Sequence, residues 1–240
     1  MNGLIYSTAL QWKLDLRSRT MLIACYAVPL AFFAFMSGIF TSVMPEFVQS
    51  LIPAMTVFAV SMGALIGLPP SLAEIYATGV RKAYLANGVP LAAGLLAANL
   101  SAFVHLLIMS TIICLAAPAL FDAPVPVHPG QYYGALCIYI WASLGYASMI
   151  GLLVRDPANT SLLSIVIFLP SIMLSGIMFP AEMLPAAFQD AGALFPALWG
   201  FRLMGSAFSW DNLWPLLVML GLSGALCAVL LRLIRTKTDA

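Results

Sequence analysis

Charge is what this sequence has least of. Asp, Glu, Lys and Arg make up 8% of its 240 residues, against 62% hydrophobic residues, and mean hydropathy is +1.01. A soluble domain is about a quarter charged and about half apolar. There is too little polar surface here to wrap a water-soluble body, so the composition specifies an integral membrane protein. Paired cysteines are lacking too. Cys25, Cys114, Cys137 and Cys227 each lie inside an apolar run, none forms a CxxC pair, and no Cys/His cluster has metal-ligand spacing. They read as four small hydrophobic residues, and no structural disulfide is expected. Catalytic motifs are also missing: there is no HExxH, no GxSxG and no GxxxxGK[ST]. That leaves no signal for a zinc protease, a nucleophile-elbow hydrolase or a Walker-type ATPase. The acidic residues are scattered singly in loops, and neither His105 nor His128 has an evident nucleophile beside it. A net charge of +1 gives no support for nucleic-acid binding.

What the sequence does have is a series of long apolar runs. A membrane helix needs about 20 mostly apolar residues. Every backbone N–H and C=O in lipid must pair internally, so each run is expected to be a helix. Six spans are expected, near 21–43, 51–70, 91–120, 131–154, 159–179 and 213–234. Ahead of them, residues 1–20 suit a short amphipathic helix in the membrane interface. Leu4, Ile5, Trp12 and Leu16 are placed on one face, with Lys13, Arg17 and Arg19 among the polar positions. A signal peptide has an apolar core of only about 7–15 residues, ending in a small-residue cleavage site. Here the apolar run continues to Val43, so no cleavage is expected. The expected fold is all-α, with residues 1–240 forming one transmembrane domain and no nucleotide-binding domain.

Orientation follows from Lys and Arg in the short loops. The N-terminal segment, the second and fourth loops and the tail hold nine of the ten basic residues, and Arg202 is the exception. Both termini are therefore expected in the cytoplasm, which also favours an even number of crossings.

Two stretches depart from the simple pattern. Residues 71–90, SLAEIYATGVRKAYLANGVP, gather Glu74, Arg81 and Lys82 between two apolar runs, on the side where positive charge collects. Such an insert is either a solvated connecting loop or a part that touches another protein. Residues 175–212 are external by the charge rule yet too apolar for an ordinary wet loop. Gly176, Pro180, Pro185, Gly192 and Pro196 interrupt them, leaving short amphipathic pieces at 186–194 and 197–208. One or two short helices dipping back into the outer leaflet are expected. Irregular backbone at that depth must be buried in protein or line a wet cavity. The third run is long enough to tilt or to project beyond the bilayer. It carries Asn99, Ser101 and His105. An ionisable residue in a span is a functional candidate. No acidic partner at similar depth is evident, so His105 is read as a packing residue that hydrogen-bonds a neighbouring helix.

The whole arrangement resembles the membrane-spanning permease subunits of ATP-binding cassette (ABC) exporters, the type 2 permease family. In the organising stretch, Glu74, Gly79, Lys82 and Tyr84 match a family pattern, although Asn87-Gly88 stands where Thr-Pro is usual and the proline comes later, at Pro90. Leu174-Ser175-Gly176, Phe179-Pro180, Met183-Leu184-Pro185 and Pro196 resemble the motif at the outer end of the fifth span. The resemblance implies that residues 71–88 form a coupling helix docked in a groove of a separate ATPase subunit. Glu74, Arg81 and Lys82 would make rim contacts there, Tyr84 and Leu85 would pack as an anchor, and Gly79 belongs to the same motif. It implies ATP and magnesium on that partner and no cofactor on this chain. It also implies cytoplasmic ABC ATPase subunits, a second permease copy or a related chain, and membrane lipid as partners, in the cell (cytoplasmic) membrane. The first, second and fifth spans would face the partner and the pathway. With few charges available, a hydrophobic or amphipathic substrate (drug-like, lipid or glycolipid) is expected. The competing readings are an ion-coupled secondary transporter, for which His105 is the one candidate residue, and a non-transporting membrane scaffold that binds an ATPase.

Overall fold

The computed structural model describes residues 2–77, 84, 88–154, 156–178, 183–205 and 209–239. Among the described residues every regular element is a helix and none is a strand. α1 covers Asn2–Arg17. A short turn at Arg19–Leu22 and a π turn at Ile23–Ala27 lead into α2, Val28–Val43. A 3-10 turn at Pro45–Ser50 opens α3, Leu51–Met62, and a second π turn, Gly63–Gly67, leads into α4, Leu68–Ala77. α5 is Leu91–Phe121, α6 Pro129–Leu153, α7 Pro157–Met173, α8 Ala186–Gly192, α9 Pro196–Gly205 and α10 Trp210–Asp239.

The two π turns share a local cause. Each is followed within two residues by proline, Pro29 after Ile23–Ala27 and Pro69 after Gly63–Gly67. Proline has no N–H for the carbonyl four residues back, and its ring crowds that carbonyl. Widening the helix by one residue just before the proline relieves both problems.

Among the described residues, five runs are long and apolar enough to cross a membrane: Ile23–Val43, Pro45–Tyr76, Leu91–Phe121, Pro129–Leu153 and Trp210–Arg235. The fifth expected span, 159–179, is shorter than predicted. α7 has 17 residues, about 25 Å at 1.5 Å per residue, which is less than the roughly 30 Å of bilayer hydrocarbon. Its end is built into the sequence. Gly176 takes a left-handed φ of 84°, which costs glycine nothing and most residues a good deal. The Ser175 hydroxyl donates to the Ile172 carbonyl at 2.6 Å and accepts from the Ile177 N–H at 3.3 Å. Residues 174–176 thus close the helix that the apolar pattern alone would have carried to 179.

The second span is the centre of the molecule. Leu51–Pro69, the core of this span, is almost entirely buried inside this one chain, and the span packs against α5, α6, α7 and α9. This corrects the expectation that the second span presents itself to a partner. Exposed apolar faces occur on α1 (Ile5, Leu10), α2 (Phe35, Val43), α5 (Ile112, Leu115), α7 (Val166, Leu169) and much of α10. α10 lies along α6.

Close approach is bought with glycine in α6 and α9. A Cβ on Gly151 would come within 2.9 Å of the Pro69 carbonyl oxygen and 2.8 Å of the Leu72 Cβ, so α6 and α4 touch backbone to backbone. A Cβ on Gly200 would lie 2.4 Å from the Tyr139 ring, which is fully buried. The Tyr139 hydroxyl shares a 2.7 Å hydrogen bond with Ser61 Oγ and donates to the Val57 carbonyl at 3.2 Å. That one side chain therefore joins α9, α6 and α3. All four cysteines are free.

Candidate functional site

The charged stretch sits on a tied stem. α4 leads into it and α5 leaves it, and Glu74 is exposed on α4. The Tyr76 hydroxyl donates to the Leu91 carbonyl at 2.6 Å, joining the two helices at the base of the loop. The Tyr84 ring lies where a Cβ on Gly94 would be, 2.7 Å away, and the Tyr84 carbonyl accepts from the Val89 N–H at 2.8 Å. Tyr84 is half-buried against its own chain. Gly79, Arg81, Lys82 and Leu85 lie outside the described residues. Beside the stem, a cavity of about 480 Å³ opens between residues 88–92 and the end of α10, where Arg232 and Arg235 line it.

The second departure from pattern, expected as short broken helices, is α8 and α9. Pro185 precedes α8 and Pro196 opens α9, where proline's missing N–H costs no helical bond. Gly192 fits beneath the Leu174 carbonyl, and the Trp199 indole N–H donates to the Ala193 carbonyl at 2.9 Å. The Arg202 guanidinium lies over the Trp199 ring at 5.4 Å. α9 packs against α3, α6 and α10. Ser175, Gly176, Pro185 and Pro196 are thus the joints of one packed corner, while Phe179 and Pro180 lie outside the described residues. A cavity of about 320 Å³ lies between this corner and the start of α6, with Gln49, His128 and Gln131 on its wall.

Several polar side chains between helices are paired. Asn99 on α5 and Ser148 on α6 exchange two hydrogen bonds, at 3.0 and 3.1 Å. Thr56 on α3 meets Tyr132 on α6 at 2.8 Å. These neutral pairs are structural glue between spans.

The sequence reading missed a third feature. α1 packs along α5 with a polar face inward: Gln11 and Trp12 are half-buried and Asp15 is buried, whereas Ile5, Tyr6, Leu10 and Leu14 are exposed. Ile5 and Leu16, which share a face with Trp12 by helical spacing, are exposed, whereas Trp12 itself is half-buried. Asp15 Oδ2 accepts from the Ser101 hydroxyl at 2.5 Å and Oδ1 from Gln11 Nε2 at 2.8 Å. The Trp12 ring stacks on the His105 ring with centroids 3.9 Å apart and planes 12° from parallel. Tyr26 Oη lies 2.8 Å from His105 Nδ1. His105 does pack, but beside an acid that the sequence reading left out. The available signal was Asp15 itself, the one acid of the N-terminal helix, one turn from Trp12.

No group of three or more His, Cys, Asp or Glu able to hold a metal occurs among the described residues. The fold is thus a multi-pass helical membrane domain whose spans are joined mainly by neutral hydrogen-bonded pairs. The chain belongs to the ABC-2 type transporter family, which matches residues 4–208. It is a membrane permease domain, which lacks ATPase activity itself, and the family works in partnership with ABC ATPase subunits. No curated protein matches the chain at significant similarity.

Proposed function

We propose that residues 1–240 form one permease domain of an ATP-driven exporter in the cell membrane. Six helices cross, with α7 as the short fifth span and both termini in the cytoplasm. A second copy or a related chain completes the pathway against the exposed faces of α2 and α7. A hydrophobic or amphipathic substrate, such as a drug-like molecule, a lipid or a glycolipid, suits walls with so little charge. α8 and α9 reach back into the outer leaflet. ATP and magnesium act on the partner ATPase.

The observation that supports this reading is the tied stem. A push on the stretch after Ala77 reaches α4 and α5 together, because Tyr76 holds Leu91. α4 in turn bears on α6 through the backbone contact at Gly151. Packed helices of this kind respond as rigid bodies that switch between discrete arrangements. The ATPase drives the switch by binding the two arrangements with different affinity. Glu74, Arg81 and Lys82 form the charged rim, Gly79 and Leu85 lie within the docked segment, and Tyr84 anchors that segment to α5.

Co-purification with candidate ABC ATPases tests the docking. Glu74→Arg alone and Glu74→Arg with Tyr84→Ala are compared with the natural chain, each shown to be monodisperse. Binding is expected to fall about tenfold or more, ~1.4 kcal/mol. An ATPase retained equally by all three proteins would remove the coupling assignment and favour a secondary transporter. An ATPase lost from the variants, with no stimulation of its hydrolysis by substrate in the natural chain, would favour the scaffold.

A further inference from the structure

The joint between α1 and α5 brings a carboxyl and an imidazole together in a buried place. Asp15 is 6% exposed and His105 fully buried. Each ring nitrogen of His105 has a distinct environment. Nδ1 meets Tyr26 Oη, while Nε2 is buried with no hydrogen-bond partner among the described residues. The titratable groups facing the joint come from three elements: Asp15 from α1, Cys25 and Tyr26 from the first π turn, and His105 from α5. Lys13, Arg17 and Arg19 are exposed.

We propose that Asp15 and His105 form a proton-binding site that holds one proton, and that its occupancy sets how firmly the N-terminal helix is seated on the third span. The argument is one of charge. With no proton, the joint buries a lone carboxylate, which is costly even with two hydrogen bonds. With one proton the pair is neutral overall. If the proton is on His105, the imidazolium lies flat on the Trp12 indole, an arrangement that the ring face favours. If it is on Asp15, the buried acid is uncharged. A second proton leaves a net positive charge in the same place. Seating is therefore firmest in the one-proton state.

The sign for Asp15 agrees. Burial pushes its carboxyl above the ordinary range, against the hydrogen bonds from Ser101 and Gln11 and the attraction of His105. The seated state thus holds the proton more tightly than the unseated one. By linkage, seating is strengthened as pH falls through the seated-state pKa and weakened as pH rises through it.

The readout is Trp12 itself. Its protection from acrylamide is measured in the full chain in nanodiscs between about pH 4 and 8, from the ordinary carboxylate range through the ordinary imidazole range, with Trp12→Phe subtracted to remove the other tryptophans. Trp12 is expected to become more accessible as pH rises, with the unseated fraction growing by up to about tenfold per pH unit, the limit for one linked proton. Asp15→Asn and His105→Gln should flatten the profile. Ser101→Ala removes a hydrogen bond to the carboxylate and should move the midpoint to higher pH, which serves as the readout if either of the others misfolds. Protection that is independent of pH in the natural chain, or a midpoint unmoved by Ser101→Ala, overturns the site.

Discussion

Alanine at position 200 is expected to destabilise the protein by about 1–3 kcal/mol, the usual cost of overpacking a filled core. The added carbon would sit 2.4–2.7 Å from three atoms of the Tyr139 ring. The ring has no room to yield, because it is fully buried and its hydroxyl is held by Ser61 and Val57. The strain therefore falls on α9, which must lift away from α6 and α3. The check is the thermal unfolding midpoint in detergent. Removing the ring as well should recover part of the loss, so Gly200→Ala with Tyr139→Leu is expected to be more stable than the sum of the single effects. Residues in direct contact show such coupling, at about 0.5–3 kcal/mol. Additive effects would mean that the ring and the glycine do not oppose each other.

The second large effect is expected within one helix. Of the four glycines of α6, Gly134, Gly145 and Gly151 have graded surroundings. Nothing lies within 4 Å of a Cβ on Gly134. A Cβ on Gly145 meets the Ser223 hydroxyl at 2.3 Å, the movable end of a small side chain, and one on Gly151 meets the Pro69 backbone. Gly134→Ala should be neutral or gain up to about 1 kcal/mol from helix propensity. Gly145→Ala should cost an intermediate amount. Gly151→Ala should lie at the upper end of the overpacking range, about 3 kcal/mol, because backbone cannot turn aside. It should also weaken ATPase stimulation, since it separates α6 from α4 just above the stem. A Gly151→Ala protein as stable as Gly134→Ala would show that the two helices do not meet as described.

The membrane class and nearly every helix were legible in the sequence, because a lipid-spanning helix announces itself by length and apolarity alone. The ends were legible only where a stop was written locally. The apolar run past Met173 hid the cap at Ser175-Gly176, since apolarity says where a helix can lie and not where its backbone turns. The short helices α8 and α9 were visible from their prolines. The central position of the second span was not, because one apolar helix reads like another until its neighbours are known. Asp15 escaped for a related reason. A basic N-terminal segment draws attention to its cations, and a helix read as lying in the membrane interface turns its apolar face to lipid without calling for a face docked on protein. The polar face is docked nonetheless, and the exposed Ile5, Leu10 and Leu14 are left for lipid.

The π turn at Ile23–Ala27 carries one residue more than an α-helical turn needs. A deletion there would leave a continuous helix, but all that precedes it would swing by about 100° and shift by about 1.5 Å. Trp12 and Asp15 would then leave His105 and Ser101, although neither they nor their partners had been altered. The matching deletion at Gly63–Gly67 would turn Glu74 away from its present direction on the far side of the second span. The N-terminal helix and the charged stem thus both take their bearing from a count of residues, which makes length, more than composition, the property these two turns cannot change.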